Sequence, residues 1–114
     1  MTPRAEDSTP SGALIILMTA PDAGEGERIA GSLLDEGVIA CANIVPGVVS
    51  LYRWEGELKR DAEVLVVMKT WTTAESRAIA LAQEIHPYEV PEILVLDVKG
   101  GAAPYLAWVE QECR

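Results

Sequence analysis

Residues 38–54, VIACANIVPGVVSLYRW, constrain the fold of this chain more than any other stretch. Side chains alternate across an extended backbone. Val38, Ala40, Ala42 and Ile44 therefore share one face, and Ile39, Cys41, Asn43 and Val45 the other. Beyond Pro46-Gly47, Val48, Ser50, Tyr52 and Trp54 fall together. Glu55-Gly56 then permits a tight reversal, because glycine tolerates positive φ. AEVLVVMKT, residues 62–70, supplies the return strand. Fully extended, the first arm spans about 55 Å at roughly 3.3 Å per residue. A domain of this size has a radius of gyration of only about 13 Å. The ribbon must bend at Pro46-Gly47, project outwards, or do both.

The flanking segments place this ribbon in a larger pattern. GALIILMTA, residues 12–20, is a short apolar run between Gly12 and Pro21 and reads as a buried strand. Asp22 followed by Glu25 has capping-box spacing; Ile29, Ala30, Leu33 and Leu34 form a helical stripe, and Gly37 suits the helix end. Thr72 and Glu75 repeat that spacing before a second stripe of Ala78, Leu81, Ala82 and Ile85. Pro87 ends this helix, since proline biases the preceding residue towards extended geometry. EILVLDV, residues 92–98, is the fourth strand. A last helix begins near Pro104 and carries Tyr105, Leu106, Trp108 and Val109. The order β-α-β-β-α-β with a C-terminal helix predicts an α+β, ferredoxin-like sandwich over residues 13–114. Residues 1–12, rich in Pro, Ser, Thr and charge, read as a flexible tail.

Two helices cover one sheet face. VLVVM and ILVLDV are nevertheless apolar on both sides, so the second face also needs cover. A projecting hairpin with aromatic residues near its tip raises the same need. Both features predict an oligomer.

Charge narrows the partners. Nine basic and eighteen acidic residues in 114 give a net charge of −9. That disfavours nucleic acid and anionic membrane surfaces and favours cations, although it also simply confers solubility. No apolar run approaches the roughly 20 residues of a membrane span, and the first residues lack the apolar region of a signal peptide. Cys41 and Cys113 lie far apart without C-x-x-C spacing, which fits a reducing cytoplasm.

ACANIVPGVVSLYRWEGEL, EVLVVMKT and HPYEVPEILVLDV, with TAPD at 19–22 and YLAW at 105–108, resemble the CutA divalent-cation tolerance proteins. The resemblance runs from about residue 13 to the C-terminus. It implies a ferredoxin-like fold in a tight homotrimer that acts in tolerance of divalent metals, copper above all, with no enzymatic reaction. Trimers of similar topology, the PII signalling proteins, bind small effectors between subunits, and a module of that kind is the alternative. The family's copper-ligand positions carry over in part. A cysteine late in the first strand is Met18 here, and two adjacent histidines are Ile85 and His86. Methionine sulfur suits copper(I) better than zinc or copper(II).

Each candidate residue also has a structural role open to it. His86, the only histidine, either ligates a metal with Met18 or ends a helix, favourably placed at the negative end of its dipole. Cys41 reads as inert packing, with no group to orient a Cys-His pair. Tyr52 and Trp54 anchor a partner subunit or stack on a ligand. Glu63 and Lys69 share a strand face. An interface cleft holding Cys41, Tyr52, Trp54, Glu63, Lys69, Tyr88 and Glu92 is the other candidate site.

Overall fold

The computed structural model describes residues 9–114. Its elements are strand β1 (Thr9–Pro10), strand β2 (Ala13–Ala20), helix α1 (Ala23–Asp35), strand β3 (Cys41–Trp54), strand β4 (Glu57–Trp71), helix α2 (Glu75–Ile85), strand β5 (Ile93–Asp97), strand β6 (Gly100–Gly101) and helix α3 (Ala103–Glu112). The main sheet is antiparallel with order β3-β4-β2-β5. This is the ferredoxin-like α+β arrangement that the element order predicts.

Strand register separates two apolar faces. Ile16 lies opposite Met68 and Val95, and Met18 opposite Val66 and Ile93. These side chains meet Ile29 and Leu33 of α1 and Ala78 and Ala82 of α2 in one buried core. On the reverse face, Leu17 lies between Val67 and Leu94, and Ile15 between Lys69 and Leu96. Leu94 and Leu96 are 54% and 48% exposed, so none of the described residues covers this face there.

Local chemistry explains the element ends. Asp22 accepts the Glu25 N–H at 2.8 Å and starts α1. At its other end Gly37 takes φ +69, and the Gly37 and Val38 N–H groups donate to the Leu34 and Leu33 carbonyls. That pair of bonds is a Schellman motif, and it favours glycine at the left-handed position. Val38, Ile39 and Ala40 are buried ahead of β3, and the strand starts at Cys41 and not at residue 38. The expected cap at Thr72 is not formed. The Thr72 N–H donates to the Gly12 carbonyl at 2.9 Å, and Thr72–Ala74 tightens into a 3-10 turn. Helix α2 then begins at Glu75 with no side-chain cap.

The ribbon both bends and projects. Pairing runs from Cys41↔Lys69 to Val45↔Leu65 and resumes at Val48↔Glu63, leaving a bulge at Pro46-Gly47. Glu55 and Gly56 close the hairpin with φ of 49° and 80°, a two-residue turn of type I′ geometry. The chain measures 56 × 33 × 22 Å with a radius of gyration of 15.9 Å. A compact chain of this length would have about 13 Å; the hairpin accounts for the excess.

Residues 9–12 of the expected tail are held in place. Thr9 and Pro10 pair with Gly101 and Gly100, and the Ser11 hydroxyl donates to the Val98 carbonyl at 2.6 Å. The rest of that expectation, residues 1–8, lies outside the described residues.

Candidate functional site

The distal half of the hairpin and the segment 88–92 enclose a cleft of about 610 Å³. Alternation along β3 and β4 puts Ser50, Tyr52 and Trp54 beside Asp61 and Glu63 on the uncovered side of the sheet. Tyr88, Glu89, Val90, Pro91 and Glu92 form the opposite wall. Four of these residues are carboxylates, and among the described residues no Lys, Arg or His lines the cleft.

Hydrogen bonds organise its floor. The Tyr88 hydroxyl donates to Glu63 Oε2 at 2.7 Å, and the Tyr52 hydroxyl donates to Asp61. Both phenols titrate above their ordinary range. Burial is the first cause for Tyr88, followed by its bond to Glu63. For Tyr52 the bond to Asp61 comes first. Glu63 is only 8% exposed, unusually low for a carboxylate.

His86 stands behind this wall and does not line it. Its Nδ1 accepts the Tyr88 N–H at 3.0 Å, and Nε2 lies 2.8 Å from the Thr19 carbonyl. A backbone N–H only donates and a carbonyl only accepts, so the tautomer carries its proton on Nε2. Both nitrogens are thereby engaged, and a metal would have to displace one of these bonds. Met18 is fully buried on the helix-covered face. As arranged, the pair does not fit a metal ligand set. Among the described residues no group of three or more His, Cys, Asp or Glu side chains is placed to hold a metal ion.

The structure brings together Tyr52, Trp54, Glu63, Tyr88 and Glu92, but not Cys41 and Lys69. Those two face each other across the ladder. Lys69 is six residues along β4 from Glu63, about 20 Å at strand rise. Its ammonium donates to Asn43 and lies 3.9 Å from Cys41 Sγ. Tyr105 of α3 joins this second cluster: burial first, then Cys41, raises its pKa. Asp61 and Glu89 are cleft residues beyond those expected. Asp61 was accessible to sequence reasoning, since it sits two places before Glu63 on the same strand face.

The sequence and fold have many counterparts. "Protein CutA 1, chloroplastic" from Oryza sativa subsp. japonica is 41% identical over 110 residues. That alignment covers 94% of this chain but 60% of the relative, so the chain spans about three-fifths of that protein's length. "Divalent-cation tolerance protein CutA" from Pectobacterium atrosepticum is 41% identical over 102 residues, covering 90% of this chain and 93% of the relative. The crystal structure of CutA1 from Oryza sativa superposes with a TM-score of 0.87 at 37% identity, covering 92% of this chain and 96% of that one. The model of the family described as CutA1 divalent ion tolerance protein matches residues 14–112, and this chain belongs to that family.

Proposed function

We propose that this protein acts in tolerance of divalent cations, copper among them, as a non-catalytic cytoplasmic homotrimer that contacts the ions weakly. The observation that carries this reading is the acidic lining of the cleft at the uncovered sheet face: Asp61, Glu63, Glu89 and Glu92 line it without forming a closed ligand set, and no Lys, Arg or His among the described residues joins them. The net charge of −9 adds a long-range attraction for cations. The uncovered row of Leu17, Val67 and Leu94 supports assembly, as do the exposed Tyr52, Trp54 and Trp108. A non-catalytic role is supported at Cys41. Its ladder row lies four residues from the row of Thr19, to which His86 is bonded, about 13 Å at strand rise. A nucleophile and its base must be within hydrogen-bond reach. The free thiols of Cys41 and Cys113 suit a reducing compartment.

Oxygen donors of this kind hold divalent ions loosely, and an assembly multiplies each donor. Copper and zinc titrations followed by calorimetry at matched salt test the reading. We expect weak saturable uptake by the intact protein, reduced in an Asp61→Asn, Glu92→Gln double variant and preserved in His86→Ala. Loss of copper uptake in His86→Ala alone would return the ion to His86 and Met18. No saturable heat with either metal would sink the reading.

A further inference from the structure

We draw no further inference here: the strongest candidate, the side-chain cluster of Cys41, Asn43, Lys69 and Tyr105 at the root of the hairpin, shares its ladder row with Ile15 and Leu96 on the sheet face already assigned to contact between subunits, and nothing in the structure shows what covers it.

Discussion

His86 shows how one side chain can be fixed without being a ligand. Its two ring nitrogens tie the residue 86–88 turn to Thr19 on β2, and Tyr88 extends that tie to Glu63 on β4. The Tyr88 bond has a consequence for alkaline stability. The folded-state pKa of Tyr88 is raised above the ordinary value of 10.0. The protonated phenol is thus favoured in the folded chain, so its contribution is complete below about pH 10 and fades as pH rises further. All three tyrosines titrate late, Tyr88 latest, so we expect the absorbance titration of the folded protein to end in a phase of one tyrosine's amplitude that Tyr88→Phe removes. The same variant should lose about 1–2 kcal/mol at neutral pH in chemical denaturation, because Glu63 is left without its donor. A Tyr88→Phe titration whose last phase keeps its full amplitude would show that the phenol is not held as described. None of this was legible at His86 itself, whose position before Pro87 indicated only a helix end. Its partner Thr19 is 67 residues away in the chain.

At the scale of elements, the hairpin carries most of the information. Alternation in VVSLYRW placed Ser50, Tyr52 and Trp54 on one side, and Glu63 joined them by the same parity. Parity says nothing of distance along a strand, which is why Lys69 and Cys41 belonged to the expected cleft but sit at the other end of the sheet. Capping was legible where the side chain had no competitor: Asp22 caps α1, whereas the Thr72 N–H is claimed by Gly12 and the chain turns 3-10 first. The turn at Glu55-Gly56 invites a direct test. Glu55 has φ 49, a left-handed conformation that asparagine and glycine adopt more readily. Glu55→Asn creates the preferred pair for this turn and should stabilise the fold by up to about 1 kcal/mol. That corresponds to a melting temperature higher by about 4–8 °C at equal protein concentration. An unchanged or lower melting temperature would mean that the tip is set by contacts beyond the turn.

For the whole molecule, the extended shape and the bare sheet face point the same way. Val49, Leu51 and Leu58 are 52%, 67% and 71% exposed on the hairpin, and Leu94 and Leu96 lie open on the sheet. The first three lie on the opposite face of the ribbon from Leu94 and Leu96, so apolar surface is left open on both sides of the molecule, and patches of this kind mark interaction sites. We expect sedimentation to give a trimer that persists to micromolar dilution, and Leu94→Glu with Leu96→Glu to yield smaller species with a lower melting temperature. A folded single chain under those conditions would remove the assembly from the proposed function. The requirement for cover was legible in the strand sequences, since VLVVM and ILVLDV offer no polar side. The number of copies was not, because it depends on how the curved faces meet.

The gap at Pro46-Gly47 has one more effect. It divides a ladder of β3 and β4 into a root, Cys41–Val45 on Lys69–Leu65, and an outer length from Val48 on Glu63 to Trp54 on Glu57. The root is anchored to β2 and the helices, while the outer length is tied to the rest of the chain at its base, by the Tyr88–Glu63 hydrogen bond. Its amides can therefore open to solvent in a separate, cheaper event, leaving the root zipped. The walls of the cleft would then come apart while the rest of the domain stays intact.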